Sequence, residues 1–430
     1  MNLPAPSTDF ATANPHALAT ILEASQTKSI IASRDIFDVS GTKLWARDQP
    51  VSHALQRKLL DRQLRSPLEA CLLAEDGITA QSLLWCTEAL LARPTPLSTL
   101  LMPHAARIVR ELPYLPLHSV AQLLLTAGQA SRPDSFDHAV QGMALAGALM
   151  AAQGGSAVEL RLAMLAGLLH DLGEMYIDPR YGEADADRQL DAQSYAHLVV
   201  HPHVGSLLLA QLTDYPAAIS RAVAEHHERL DGSGYPHALQ RDAVSPLGRL
   251  LAVTEATLGV LRSETPALHH ASIALRVVPG EFDLTWVGRI AAAAQSECAA
   301  QALDPSVQMA DTPSPGDVQL RLARLDGALR AAQYRADALA AGAETPALRG
   351  AIELAQFLLG RLRTGWYASG LWGEDAVNEN NAAEVDAVED ELFYRLHAVE
   401  RAARLRAGDL SPADADRLDL LCDSLRAVPR

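Results

Sequence analysis

The stretch that decides the fold is His226 to Pro236, HHERLDGSGYP, read together with Leu168 to Glu174, LLHDLGE. Each contains two neighbouring side chains of metal-ligand type, His226 with His227 and His170 with Asp171. Neighbouring residues on a helix point about 100° apart, so such a pair cannot close one face around an ion, and several helices must converge. Imidazoles and carboxylates drawn from different helices form the usual buried metal centre of a helical bundle, and a carboxylate beside a histidine can bridge two ions. Working outward, eight of the 15 histidines (His138, His170, His197, His201, His203, His226, His227, His237) fall between positions 138 and 237, too dense a cluster for chance. The flanking sequence has a helical period, with apolar faces at Met143, Leu145, Leu149 and at Leu160, Met164, Leu168, Leu169, and no strand alternation interrupts it up to about Ala300. This predicts an all-α domain with a metal centre, in which mixed N/O ligands suit Fe, Mn or Zn better than Ca or Mg.

Composition narrows the class. The 430 residues are 49% hydrophobic, enough for two or three domains and a sizeable core. A net charge of −16 leaves no broad basic surface for a polynucleotide, although a metal ion can attract a small anion locally. The four cysteines (Cys71, Cys86, Cys298, Cys422) lie far apart with no C-x-x-C pair, which argues against a disulfide framework or zinc ribbon. The opening MNLPAPSTDFATANPH has neither a basic nor an apolar signal region, and no apolar run reaches about 18 residues, so the expectation is a soluble cytoplasmic protein without a membrane partner.

Before the histidine-rich region, Arg34 to Ala46 place Ser40-Gly41 between two short β-type runs, a hairpin signal, and Ser52 looks like an N-cap. Helical spacing then runs from Pro67 to Ala130. After it, Leu303 to Asp317 reads as a linker, and Val318, Leu322, Leu325, Leu329, Ala332, Ala336 and Leu339 form a heptad-like stripe. A loop at Gly373 to Ala383 precedes a last amphipathic helix. The expected organisation is a preface over 1–133, a metal-binding domain over 134–302 and a helical region over 318–430, whose stripes serve an ordinary bundle or a homodimer contact.

The two motifs resemble those of the HD-GYP family within the HD phosphohydrolases. All eight fixed positions of its HHExxDGxGYP signature match, and the resemblance covers about residues 134 to 300. It implies an all-α HD domain with two or three divalent ions, Fe or Mn or else Zn, that hydrolyses cyclic di-GMP or a related nucleotide. The ligands carried over are His138 in FDHAVQG, His170, bridging Asp171, His201 in HPHVG, His226 and His227. Glu255 in LLAVTEATLG takes the place of the family's last aspartate, and Asp134, four residues before His138, is the position for a third metal site. Gly234 and Tyr235 would shape the nucleotide pocket. The implied partners are the cyclic dinucleotide and a diguanylate cyclase or other signalling protein.

The sequence departs from the family at the substrate end. The HDxGK lysine is replaced by Glu174, which would repel phosphate or serve as an extra ligand or general base. Leu258 replaces a second aspartate, and Arg262 is near where an arginine is expected. Three readings follow: a cyclic dinucleotide phosphodiesterase, a hydrolase for another phosphate ester, and a degenerate domain that binds nucleotide or protein without turnover. Away from the ligands, His197 reads as a surface or outer-shell residue, His203 and His237 as loop or cap residues, and His269-His270 as a surface turn. Glu228 and Asp231 read either as surface charges or as hydrogen-bond partners of ligand histidines.

Overall fold

The computed structural model describes residues 10–181, 196–262, 267–302, 314–369, 382–407 and 410–426. Two compact units share the chain, one holding most residues up to Leu258 and the other starting at Gly259.

In the first unit, α1 (Pro15–Ala24) opens with Pro15 at its first position, and the Asn14 Oδ1 accepts from the amides of His16 and Ala17 at 2.9 and 3.1 Å. Four short strands follow: β1 (Ile30–Ala32), β2 (Ile36–Phe37), β3 (Lys43–Trp45) and, after α2 (His53–Leu59), β4 (Leu72–Ala74). β2 and β3 form the expected hairpin, closed by the Asp38 carboxylate, which accepts from Ser40 Oγ at 2.6 Å and Thr42 N at 2.8 Å. β1 pairs antiparallel with β4, Ile30 opposite Ala74, a pairing absent from the sequence reading because three-residue strands carry no alternation to detect.

Helices α3 (Ala80–Ala92), α4 (Pro96–Leu101), α5 (Ala105–Glu111) and α6 (Ser119–Ser131) follow. Threonine–serine capping boxes start α3 and α4, each satisfying two amides that the helix itself leaves unpaired. The centre of the unit is a hairpin of α7 (Pro133–Ala152) and α8 (Ala157–Leu169). Both are apolar nearly all round, as helices enclosed on every side must be. They cross at Gly142 and Gly167, where a Cβ on Gly142 would stand 2.7 Å from the Gly167 carbonyl oxygen and 3.0 Å from the His170 ring. Only glycine permits this approach, and it sets His170 beside α7. A 3-10 turn over Leu172–Tyr176 leads onward, and α9 (His201–Leu212), α10 (Ala217–Glu225) and α11 (Pro246–Leu261) complete the site-bearing helices.

The second unit comprises α12 (Leu268–Ala274), α13 (Leu284–Ala302), α14 (Pro315–Ala340), α15 (Pro346–Ser369), α16 (Ala382–Ala407) and α17 (Pro412–Arg426). The heptad-like stripe on α14 is spent inside this unit. Val318, Leu322, Leu325, Leu329, Ala332 and Ala336 are buried in one core with Leu359, Trp366, Leu392 and Leu421. Arg395, half-buried, lies between Glu391, at 2.6 Å, and Glu281, so both carboxylates pair with its charge. His269 and His270 lie on α12, half-buried, and not in the surface turn expected for them. Residues 303–313 of the expected linker and 373–381 of the expected loop lie outside the described residues. Among the described residues, no helix is long and apolar enough to cross a membrane.

Candidate metal centre

Seven side chains singled out by the sequence meet at one buried point of the first unit. His138 comes from the second turn of α7, while His170 caps the C-terminus of α8 and is followed by Asp171. His201 begins α9, His226 and His227 end α10, and Glu255 lies on α11. All seven are buried. They divide into two groups that each bring one ligand atom per residue within 4.8 Å of the others: His138, His170, Asp171 and Glu255 in one, Asp171, His201, His226 and His227 in the other. Asp171 belongs to both. Its Oδ2 lies 3.1 Å from the Nε2 of His138 and of His170, and its Oδ1 lies 3.4 and 3.3 Å from the Nε2 of His201 and His226.

Three of the imidazoles are fixed in one tautomer. The Nδ1–H groups of His170, His201 and His226 donate to the carbonyls of Gly167, Leu198 and Val223, at 2.8, 2.7 and 2.6 Å. Each acceptor lies three residues before its histidine; Gly167 and Val223 are in the final turns of α8 and α10, whose carbonyls have no intrahelical donor, and Leu198 precedes the start of α9. With Nδ1–H engaged in this way, each ring in its neutral form presents its lone pair at Nε2, the form that ligates metals. The His201 and His226 lone pairs face each other at 3.1 Å, and His138 and His170 Nε2 are also 3.1 Å apart. Facing lone pairs repel unless a cation lies between them. Ligand bonds of about 2.1 Å at right angles put two nitrogens about 3.0 Å apart, so the spacing fits a divalent ion. The donor set therefore suits a pair of ions bridged by Asp171.

Electrostatics differ between the groups. Burial and the neighbouring His227 push His226 down to about 3, keeping it neutral. Burial would also lower His170, but the Asp171 and Glu255 carboxylates outweigh it and hold His170 well above its ordinary value. Burial works to raise Asp171, yet the surrounding imidazoles, His170 foremost, hold it well below the usual carboxylate range. Glu255, one methylene longer than aspartate, reaches His138 Nε2 at 2.8 Å and His170 Nε2 at 3.2 Å through Oε2.

The remaining candidates are placed as follows. Asp134 is exposed in the first turn of α7 and contributes to neither group. Glu174 is buried in the 3-10 turn, where its carbonyl accepts from Arg132 Nη1 at 2.9 Å. Arg262 follows the end of α11 in the second unit. The Tyr235 ring stacks on His227, with centroids 4.5 Å apart and planes 14° apart. Gly234 has no room for a side chain, since a Cβ would meet the Glu228 Cα and the His227 carbonyl, while Gly232 has a φ of +86°. Glu228 plays neither expected role. Its two oxygens accept from the amides of His237 and Leu239 at 2.7 and 2.8 Å, clamping the loop that carries Tyr235. His197 and His237 are exposed, and His203 is half-buried. Sequence reasoning missed Asn14, Glu69 and Arg132, which hold the 3-10 turn and carry no motif to mark them.

Residues 129–262, which hold all seven of these side chains, match the HD domain family over that range. Among relatives, cyclic di-GMP phosphodiesterase PA4108 of Pseudomonas aeruginosa is 32% identical over 154 residues, 35% of this chain and 36% of the relative. The 3'3'-cGAMP-specific phosphodiesterase 1 of Vibrio cholerae is 29% identical over 138 residues, 32% of this chain and 31% of the relative. The chain thus spans about a third of the length of the curated relatives it matches. Among solved structures, Bd1817, a HDG"Y"P protein from Bdellovibrio bacteriovorus, aligns over 62% of this chain and 96% of its own at 16% identity and a TM-score of 0.34.

Proposed function

We propose that this chain is a metal-dependent phosphodiesterase acting on cyclic di-GMP or a related cyclic dinucleotide such as 3'3'-cGAMP. His138, His170, Asp171 and Glu255 would hold one divalent ion, and Asp171, His201, His226 and His227 the other, with Fe or Mn favoured over Zn. The observation that carries the reading is the Asp171 carboxylate, which turns one oxygen toward an imidazole pair of each group. Bound there, divalent ions supply Lewis-acid polarisation of the phosphodiester and activation of water. The protein's own part is to turn the Nε2 atoms of the imidazoles toward the centre, share one carboxylate and keep the ligands out of bulk water. Two cations also offset the phosphate charge that a −16 chain would otherwise repel. Tyr235, stacked on His227, offers an aromatic face beside the centre for a nucleobase.

The test is metal analysis followed by hydrolysis assays of the Mn- or Fe-loaded protein on cyclic di-GMP, 3'3'-cGAMP and a simple phosphodiester. Two ions per chain and hydrolysis abolished by Asp171→Asn are expected. Two bound ions with no hydrolysis of any phosphodiester would overturn the enzyme reading in favour of binding alone. Glu174, where HDxGK sequences carry lysine, bears on the substrate. A gain of cyclic di-GMP turnover in Glu174→Lys would move the native substrate to another phosphate ester.

A further inference from the structure

The 3-10 turn Leu172–Tyr176 links the shared carboxylate to the segment that precedes the HD domain. At its start, Asp171 O accepts from Glu174 N at 2.9 Å, and Gly173 packs so closely on α9 that a Cβ would lie 2.8 Å from Gly205 N. At its far end the grip comes from residues before position 129, where the family match begins. Tyr176 Oη donates to Glu69 Oε1 at 2.7 Å, with both side chains buried. Asn14 Nδ2 donates to Tyr176 O at 3.2 Å, and the Phe10 ring meets the Tyr176 ring edge-on at 5.8 Å. Arg132 ties Glu174 O, at 2.9 Å, to Thr20 Oγ1 of α1, at 3.0 Å. Burying a carboxyl is costly, and an apolar pair would fill the same space, so what Glu69 and Tyr176 add is direction.

We propose that Glu69 and Asn14 are positioning residues for the metal centre: by holding Tyr176 they fix the 3-10 turn and hence the orientation of Asp171 toward both ligand groups. The segment before the HD domain is thereby a working part of the centre. The inference rests on the two groups binding divalent ions, as the function above requires.

The experiment is a Mn²⁺ titration of the full chain, read from the EPR signal of the free ion, with melting of the metal-free protein alongside. Tyr176→Phe keeps the ring and its contact with Phe10 but removes the hydroxyl, and should weaken Mn²⁺ binding about tenfold, the effect expected of losing one supporting hydrogen bond behind a ligand. Glu69→Gln retains an accepting oxygen and should stay within about twofold of the wild type. Asn14→Asp keeps the oxygen that caps α1 but loses the donor to Tyr176 O, so it should weaken binding about threefold or more without unfolding the helix. Should Tyr176→Phe fail to fold, Asn14→Asp alone decides. Lowered melting with unchanged Mn²⁺ affinity in Tyr176→Phe and Asn14→Asp would overturn the positioning role while leaving the metal reading intact. A wild-type chain that binds no Mn²⁺ would overturn both.

Discussion

Gly142→Ala probes the link between helix crossing and metal site most directly. The added methyl would stand 2.7 Å from the Gly167 carbonyl oxygen, and 3.0 and 3.4 Å from Cε1 and Nδ1 of His170. The first of these is backbone and cannot rotate away. Restoring ordinary contact requires α7 and α8 to part by roughly 0.5–0.7 Å, beyond the ~0.2 Å tolerance of metal–ligand distances. That parting acts on the 3.1 Å separation between His138 Nε2 and His170 Nε2. Overpacking of this kind costs about 1–3 kcal/mol, or roughly 2–10 °C of melting temperature for a unit of this size. Gly288→Ala is the control. It lies within α13 with nothing near its Cβ position, so the same change should stabilise by about 0.5–1 kcal/mol. Calorimetry of the metal-free proteins gives the stability difference, and elemental analysis after dialysis counts the ions. On the proposed ligand assignment, the expected result is loss of one ion, that of His138, His170 and Glu255, with the His201–His226 ion retained. A Gly142→Ala protein that keeps both ions at wild-type affinity would refute the reasoning.

Glu255→Asp, which restores the residue typical of related motifs, should weaken metal binding. The carboxylate now reaches His138 at 2.8 Å only through its extra methylene, and titration calorimetry would expose a gain in affinity as the contrary result. Metal binding should release a proton near neutral pH. His170 is raised, so in the metal-free protein its protonated form stabilises the fold below about pH 6.5, and that stability is lost as pH rises through the folded value. An incoming ion must displace this proton, so affinity should rise with pH by up to about tenfold per unit until His170 is neutral, measurable by calorimetry in buffers of different ionisation enthalpy. His226, pushed down to about 3, should contribute no such dependence above pH 5. Glu228→Gln turns an amide group against one of the two backbone N–H groups the carboxylate now accepts from, and should destabilise by about 1–3 kcal/mol in thermal unfolding.

The gathering of the seven candidate side chains was legible because the motifs name them residue by residue, and each sits at a helix end or on an inward face that the apolar period already fixes. Glu255 was legible as a replacement, while its reach depends on side-chain length and backbone placement together. Asp134 shows where face arithmetic ends: four residues from His138, it shares an angular sector, yet α7 begins only at Pro133 and its first two residues are exposed. Glu228 was open between two roles because sequence spacing does not reveal that the chain after Pro236 folds back onto its carboxylate. The stripe on α14 had the right period for a bundle or a dimer contact, and only the packing partners Leu359, Trp366 and Leu392 decide how it is used. Glu69 and Tyr176 lie 107 positions apart, so neither residue predicts the other.

The hydrogen bond from the His170, His201 and His226 rings to the carbonyl three residues back has a mechanical consequence. His170, His201 and His226 cannot swivel to follow an ion without breaking it, so each ring moves as a rigid extension of the helical turn that holds it. A push on the end of α8 or α10 is therefore delivered to the Nε2 atoms of His170 or His226. If the centre holds ions as proposed, it gauges the posture of its helices, and its grip changes with their spacing.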